Sequence, residues 1–380
     1  MELTQDILQY IEAHAEEAYE LLITLAQIPA PSNHEERRAA FVRDWLVAQG
    51  ARGVDIDEAL NVIYPIACEG DGPITVYMAH SDVVFPDEET LPLRVEDGRI
   101  YCPGVGDDTA NAVALLTVAK YLAQTETGLT PDGGVLLVIN SGEEGLGNLK
   151  GCRAVMDRYG DRVREFVTFD GYAEGIAHRA VGSRRYRVEI DTEGGHSWGK
   201  FGNRNAIAYL ASLIDTLYTI KVPQGGKTTY NVGTVSGGTS VNTIAQHAEM
   251  LYEFRSDTPA HLDTMERHFN AAIDFYRTKG IDVTVTLLGE RPCGIEIDEA
   301  AHGALITRAT DAVAHHYGLE AKLRAGSTDC NIPLSRGIPA VCVGALRGGG
   351  AHTREEYVEI DSLRPGLALA FEMILHHFGS

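Results

Sequence analysis

The sequence predicts an α/β protein with a mainly parallel sheet, helices on both faces, and an inserted α+β domain that has an antiparallel sheet. In residues 1–181 and again in residues 293–380, short buried apolar runs alternate with helical patterns, which is typical of a parallel sheet. In residues 182–292 apolar and polar residues alternate with period two, as in strands wetted on one face. We therefore expect one α/β domain formed by the two outer segments and interrupted by the middle one.

The elements of the α/β domain follow from these patterns in chain order. Helices are predicted at 6–27, 35–49, 109–124, 299–317 and 362–377, and buried strands at 74–79, 135–139, 164–171 and 339–344.

The inserted domain is predicted to have two helices against several amphipathic strands. The helices are expected at 205–220 and 259–279, and the strands in YRVEIDTEGG, TTYNVGTVSGG, AEMLYEFRSD and DVTVTLL.

Composition excludes several classes of partner. The chain has 380 residues and a formal net charge of −22, so its surface repels nucleic acid and anionic membranes. Neither a signal peptide nor an apolar run of membrane-spanning length is found in the sequence. The six cysteines are scattered without a CxxC pair, which indicates reduced packing residues. We expect a cytoplasmic protein without nucleic-acid or membrane partners.

Acids and histidines recur where predicted strands end. Four motifs do this, and a fifth lies in a glycine-rich loop: AHSD (79–82), GVGDD (104–108), SGEEG (141–145), FDG (169–171) and GGGAHT (348–353). Open α/β sheets bind ligands in the crevice at the carboxyl ends of their strands, so groups far apart in sequence can converge there.

Each motif has its own chemical interpretation. In AHSD, His80 and Asp82 share one side of an extended chain, which suits an imidazole ligand oriented by a carboxylate. GVGDD resembles a phosphate loop, but Asp107 and Asp108 would repel a phosphate at the helix N-terminus, so a cation fits better. The adjacent Glu143 and Glu144 must project differently and so serve different roles.

Taken singly, each motif could also be a cap, a turn or a surface polar group. Taken together, two histidines and three or four carboxylates match the mixed nitrogen and oxygen ligand set of a two-metal hydrolase.

At these residues the chain resembles the M20 family of zinc metallopeptidases, with the motifs in the family's order over nearly the whole length. The resemblance implies two divalent metal ions, with zinc as the first choice and cobalt or manganese as alternatives. It implies that His80 and Asp170 hold one ion, that Glu144 and His352 hold the other, and that Asp107 bridges them.

The same resemblance assigns the catalytic groups. Asp82 would orient His80, and Glu143 would be the general base that deprotonates the bridging water and passes the proton to the leaving amine. It also predicts a cis peptide bond between Asp107 and Asp108.

The inserted domain would correspond to the family's lid and dimerisation domain. In GGHSWGKFGNRNAI, His196 would help to stabilise the oxyanion, and in dimeric members this histidine reaches the neighbouring subunit, so we expect a homodimer. Asn242 and Arg255 would bind the substrate carboxylate, and Ser327 and Asp329 are weaker substrate-loop candidates.

The substrate prediction rests on a family tendency. Members with Asp at the position of Asp170 tend to be aminopeptidases or dipeptidases, so a peptidase T-like enzyme acting on short peptides is expected. Thr109 and Ala110 depart from the lysine or glycine often found near the bridging acid, which leaves the subfamily open but removes no ligand.

Three alternatives remain beside this prediction. An N-acyl-amino-acid deacylase or carboxypeptidase would use the same site on another substrate, and a silent homologue would bind a peptide without turnover. A serine hydrolase is suggested by Gly195–Gly199, which fits G-x-S-x-G, but the charged strand before it and the delayed helix after it do not form a nucleophile elbow.

Overall fold

The computed structural model describes residues 3–125 and 131–378. The chain divides into two compact units: one contains the residues up to Ala180 and those from Ile295 onward, and the other contains Val181–Gly294. No helix within the described residues is long and apolar enough to cross a membrane.

The helices, numbered along the chain, are α1 (Gln5–Ala26), α2 (Glu36–Ala48), α3 (Ala110–Gln124), α4 (Lys150–Tyr159), α5 (Ala206–Tyr218), α6 (Pro259–Thr278), α7 (Glu299–Tyr317), α8 (Asn331–Ser335) and α9 (Leu363–Leu375). The strands are β1 (Asp55–Ile56), β2 (Val62–Ile66), β3 (Ile74–His80), β4 (Arg94–Glu96), β5 (Arg99–Tyr101), β6 (Gly134–Asn140), β7 (Val163–Phe169), β8 (Gly175–Ala180), β9 (Gly182–Asp191), β10 (Gly195–His196), β11 (Thr228–Gly237), β12 (Thr243–Ile244), β13 (His247–Ser256), β14 (Asp282–Arg291), β15 (Lys322–Gly326), β16 (Ala340–Val343), β17 (Gly348–Gly349) and β18 (Tyr357–Glu359).

The larger unit is built on an eight-stranded sheet in the order β1-β2-β6-β3-β7-β16-β8-β15. Its centre, β6-β3-β7-β16, is parallel, while β2 joins β6 and β8 joins β16 in antiparallel pairs. Strands β3 and β6 are buried along their whole length, as expected for parallel strands covered on both faces.

Alternate residues of the central strands enter two separate cores. Tyr77 and Ala79 of β3 pack into one core with α1, α2, α3, α7 and α9, while Val76 and Met78 pack into the other with α4 and α8. Helices therefore cover both faces of the sheet, as the sequence predicts. Local signals fix the helix ends: Asp298 caps α7 by accepting from the N–H groups of Ala300 and Ala301, both at 2.9 Å.

The smaller unit has a four-stranded antiparallel sheet in the order β11-β13-β9-β14. The inward residues of β9 and β13 alternate with exposed or half-buried ones, and α5 and α6 pack on the inward face. This is the period-two pattern that predicts an antiparallel sheet covered by two helices on one face. A short ladder of β10 with β12 pairs His196 with Thr243.

The α/β fold class predicted from the sequence is confirmed, and most predicted elements lie within one or two residues of the observed ones. The sequence interpretation missed α4 and α8, the strands β1, β2, β8, β12 and β15, and a small sheet ordered β17-β18-β5-β4. The strands of the small sheet are two or three residues long, and segments that short have too few residues to display a period.

Candidate metal centre

Three parallel neighbours, β6, β3 and β7, deliver the predicted residues to one edge of the large sheet. His80 is the last residue of β3 and lies directly opposite Asn140, the last residue of β6. Glu143 and Glu144 follow β6 within a few residues, and Asp170 follows β7 immediately. The convergence expected at the carboxyl ends of the strands is therefore present.

The carboxylate of Asp107 lies between two imidazoles. Its Oδ1 is 3.0 Å from His80 Nε2, and its Oδ2 is 3.2 Å from His352 Nε2. The two oxygens thus face different histidines, which come from loops far apart in sequence. His352 Nε2 is also 2.8 Å from Glu144 Oε1.

Around Asp107 the possible ligand atoms form overlapping groups. Those of His80, Asp107 and Asp170 lie within 4.8 Å of one another, as do those of Asp107, Glu144 and His352. Both groups contain Asp107. Glu143 also comes within this distance of His80 and Glu144, so the grouping does not separate a ligand from a base.

The carboxylate of Asp82 binds several groups that follow the ends of the strands. Its Oδ1 accepts the N–H of Glu143 at 2.9 Å, and its Oδ2 accepts the N–H of Glu144 at 3.0 Å and the hydroxyl of Ser32 at 2.6 Å. His80 Nδ1 is 3.4 Å from Oδ1. The same nitrogen is 3.1 Å from the backbone carbonyl oxygen of Asp82. This fully buried carboxylate therefore lies beside His80 and holds the backbone of both glutamates.

The peptide bond between Asp107 and Asp108 is cis, as predicted. Asp108 is fully buried, with Oδ2 accepting the N–H of His80 at 2.8 Å and Oδ1 accepting a hydrogen bond from Asn111 Nδ2 at 2.7 Å. Asn111 also binds the carbonyl of Gly171 at 3.0 Å, which links the loops of two candidate ligands.

Two buried carboxylates were missed by the sequence interpretation. Glu356 accepts the N–H groups of Gly104, Gly106 and Asp107 at 3.0, 2.8 and 2.7 Å. Glu35 accepts the N–H of Gly142 at 2.9 Å, directly before the two glutamates. Both occur in charged stretches that look like solvent-exposed surface. Glu35 also accepts the N–H of Asn33 at 2.8 Å, but the partners that join each glutamate to the site are distant backbone groups that leave no signal in the sequence.

The charges of the site shift the pKa values of its groups strongly. Burial raises the pKa of Asp170 to about 7, and the nearby charge of Asp107 adds to the effect. Burial alone would lower the pKa of His80, but Asp108, Asp107 and Asp82 outweigh it and raise the pKa well above its usual range. Hydrogen bonds to Asp107 and Glu144 raise the pKa of His352 to about 11. Such shifts are typical of functional sites.

The donor set fits divalent cations that accept both imidazole nitrogen and carboxylate oxygen, which include zinc, cobalt and manganese. Two histidines and three carboxylates in overlapping groups provide for two ions with one shared ligand. His80 and Glu144 are buried, and burying a charged carboxylate is costly unless it is paired.

The sequence profile described as peptidase family M20/M25/M40 matches residues 76–376. The chain belongs to this family. Members of the M20 family are dimetal hydrolases, and this protein is a hydrolase of the same family with candidate metal-binding groups in its larger unit.

Sequence and structural relatives agree with this assignment. The succinyl-diaminopimelate desuccinylase of Burkholderia multivorans is 25% identical over 317 residues, which is 78% of this chain and 80% of that protein. A tripeptidase of Staphylococcus aureus superposes with a TM-score of 0.77 at 23% identity, covering 95% of this chain and 98% of that one. The aminopeptidase PepT of Bacillus cereus does so with a TM-score of 0.69 at 22% identity and the same coverage.

The remaining predicted residues belong to the smaller unit. His196 is exposed at the end of β10, and its Nδ1 accepts the N–H groups of Trp198 and Gly199 at 3.2 and 3.3 Å. The N–H of Ser197 donates to the carbonyl of Asn242 at 2.9 Å, so His196 and Asn242 lie on adjacent segments.

Arg255 lies apart from them on β13, where Nε and Nη2 each bind Glu253 at 3.0 Å. Ser197 lies in an exposed turn after the two-residue strand β10, which is not the strand-to-helix turn that a serine nucleophile requires.

Asp329 has a structural partner at the edge of the large sheet. It is buried, and its Oδ2 accepts Asn140 Nδ2 at 2.7 Å, directly before the loop that carries the two glutamates. Ser327 is half-buried two residues earlier.

Proposed function

We propose that this protein is a metal-dependent exopeptidase that cleaves short peptides with a free N-terminus, in the manner of an aminopeptidase or tripeptidase. Two divalent cations would be held by His80 and Asp170 on one side and by Glu144 and His352 on the other, with Asp107 shared between them. The observation that carries this proposal is the placement of Asp107, whose two oxygens face His80 and His352 at 3.0 and 3.2 Å.

Bound cations would supply Lewis acidity for the scissile carbonyl and lower the pKa of water in the site. The chain's own task is proton transfer. Glu143 would accept a proton from that water and deliver it to the leaving amine. Asp82 supports this step because its carboxylate accepts the N–H groups of Glu143 and Glu144 at 2.9 and 3.0 Å. These two hydrogen bonds fix the backbone positions from which the two side chains extend.

His196, Asn242 and Arg255 complete the proposal as groups that bind substrate. His196 would donate to the developing oxyanion, and the other two would bind the substrate carboxylate. The exposure of His196 and its position beside Asn242 support this role. In addition, we propose zinc as the physiological metal, a homodimer through the inserted unit, and a cytoplasmic location, which agrees with six free cysteines.

A second candidate function is deacylation of an N-acyl amino acid. The likeness to the succinyl-diaminopimelate desuccinylase of Burkholderia multivorans over 78% of the chain favours it, because that enzyme is named for removal of a succinyl group. In contrast, the folds of the tripeptidase and of PepT, and an aspartate at position 170, favour the peptidase.

A substrate panel separates the two functions. Free tripeptides, N-blocked tripeptides and N-succinyl amino acids are assayed in parallel with zinc, cobalt and manganese. The proposal expects turnover of the free tripeptides above the other two classes; preference for the N-succinyl substrates would establish the second candidate instead.

The role of the base is tested on the same panel. Glu143→Ala should lower kcat by about 10²–10⁴-fold while two metal equivalents stay bound, because a proton acceptor is lost and a ligand is not. Replacement of the exposed Glu69 by Ala serves as the matched control and should leave kcat unchanged. Near-normal kcat in Glu143→Ala would show that another group is the base.

A further inference from the structure

Glu356 belongs to the segment that also carries His352, yet its side chain serves a different loop. It is 1% exposed and directly precedes β18. Tyr357 of β18 pairs with Tyr101 of β5, and the carbonyl of Glu356 accepts the N–H of Cys102 at 3.2 Å. The small sheet therefore fixes the backbone of Glu356 beside the loop that leads to Asp107.

The carboxylate of Glu356 then gathers three N–H groups of that loop. Oε1 accepts those of Gly106 and Asp107 at 2.8 and 2.7 Å, and Oε2 accepts that of Gly104 at 3.0 Å. Charge-assisted bonds of this kind are about twice as strong as neutral ones. Because one of the three donors is the N–H of Asp107 itself, the anchor lies within one residue of the shared carboxylate.

The loop packs closely against its neighbours at two glycines, so water has little room to replace the carboxylate. Gly104 has φ of 74°, and a Cβ there would lie 2.2 Å from Val83 Cγ1. A Cβ on Gly106 would lie 2.7 Å from Tyr172 Oη. Three buried N–H groups without an acceptor would therefore have to be relieved by movement of the loop, and Asp107 would move with it.

We propose that Glu356 is a positioning residue that holds Asp107 against His352, so that both can bind the same cation. The inference rests on the proposed dimetal function and adds to it a residue outside the ligand set. Loss of the Glu356 carboxylate would disturb Asp107, which is the candidate ligand shared by both sides of the site. The backbone of Glu356, which leads back to His352, stays held by the N–H of Cys102 and by the pairing of β18 with β5. Both cations should therefore be bound more weakly.

Stepwise cobalt binding tests this positioning role. The metal-free full-length protein is titrated with Co²⁺, followed by calorimetry and by visible absorption, for wild type, Glu356→Gln and Glu356→Ala. In Glu356→Ala, both dissociation constants should rise by about 10–100-fold, the usual effect of losing a group that orients a ligand. The Glu356→Gln side chain can keep two of the three N–H bonds through its one oxygen. Its cobalt dissociation constants should therefore lie between those of wild type and Glu356→Ala.

A buried glutamate elsewhere provides the control. Glu372 on α9 is 2% exposed and binds His315 and His316. Glu372→Gln should lower the melting temperature and leave both cobalt affinities unchanged.

The outcomes distinguish this inference from the proposed function. Unchanged cobalt affinities in Glu356→Gln and Glu356→Ala would overturn the positioning role, even if both variants melt earlier. If Ala does not fold, the comparison of Gln with wild type decides. A wild-type protein that binds fewer than two cobalt ions would overturn the dimetal function and this inference with it.

Discussion

Replacing Asp82 by Asn should destabilise the metal-free protein, because all four neighbours of this carboxylate are donors. Oδ1 faces the N–H of Glu143 at 2.9 Å and His80 Nδ1 at 3.4 Å. Oδ2 faces the N–H of Glu144 at 3.0 Å and the hydroxyl of Ser32 at 2.6 Å. The amide of asparagine has one oxygen and one NH₂ group. In either orientation, therefore, the NH₂ group faces neighbours that donate hydrogen bonds in the wild type.

The cost can be worked out for the better orientation. With NH₂ at the Oδ2 position, Ser32 can turn its hydroxyl to accept, and only the N–H of Glu144 loses its acceptor. A buried N–H without an acceptor costs about 1–3 kcal/mol, and loss of the negative charge weakens the bonds that remain. We expect a total of about 2–4 kcal/mol, which for a unit of this size corresponds to about 4–8 °C in melting temperature.

Differential scanning calorimetry of the chelated protein measures this effect without a contribution from bound metal. Ser32→Ala is the graded comparison, since it removes one hydroxyl donor and leaves both backbone bonds to Asp82 intact. It should cost only about 1 kcal/mol, or roughly 2 °C. Equal melting temperatures for wild type and Asp82→Asn would refute the reasoning, and so would a larger effect of Ser32→Ala.

Two further predictions concern metal removal and pH. Exhaustive chelation should abolish hydrolysis and lower the melting temperature, and added metal should restore both. The melting temperature responds because a cation at 100 times its Kd stabilises the folded state by about 2.7 kcal/mol per site. A chelated sample that keeps full activity would contradict this prediction. For Glu165, burial opposes ionisation, but His377 and Arg308 outweigh it and lower the pKa from 4.5 to about 2. The stabilising contribution of the ionised Glu165 is therefore complete above about pH 4.5 and is lost as the pH falls toward 2. In urea unfolding at pH 7, the free energy of unfolding of Glu165→Gln should be lower than that of wild type by at most about 3 kcal/mol. This difference should shrink below about pH 4.5, and a difference that does not change with pH would contradict the prediction.

The convergence of the site was predictable because it follows from strand geometry. Strands β3, β6 and β7 are continuous apolar runs that can be recognised without a structure, and each ends beside a predicted acid or histidine. Parallel pairing then requires that His80, Glu144 and Asp170 meet at one edge. To predict this convergence, it was enough to identify the three strands and their parallel direction.

The supporting carboxylates were not predictable, for a physical reason. Glu35 and Glu356 occur in HEERR and TREEY, which read as exposed charged surface, although both residues are almost fully buried. The partners that link them to the site are backbone N–H groups of Gly142 and of the loop before Asp107, more than 100 residues away in sequence. Every residue type except proline has an N–H group, so no residue pattern marks such a partner.

Seven acids of the site fall into two classes that can be told apart without reference to any family. Asp82, Asp108, Glu35 and Glu356 accept hydrogen bonds from backbone N–H groups, and each is therefore satisfied by the protein alone.

The second class consists of Asp107, Glu144 and Asp170, whose carboxylates accept no backbone N–H group within the described residues. Within residues 3–125 and 131–378, the side-chain contacts of Asp107 and Glu144 are to histidine nitrogens, and the carboxylate of Asp170 accepts no hydrogen bond. Carboxylates that face only imidazoles, or no donor, have oxygens available to pair with a cation. The second class is the set that the dimetal proposal uses as carboxylate ligands, and the first is the set that positions them. The same criterion predicts which substitutions weaken metal binding directly and which, like Asp82→Asn, also destabilise the protein when the metal has been removed.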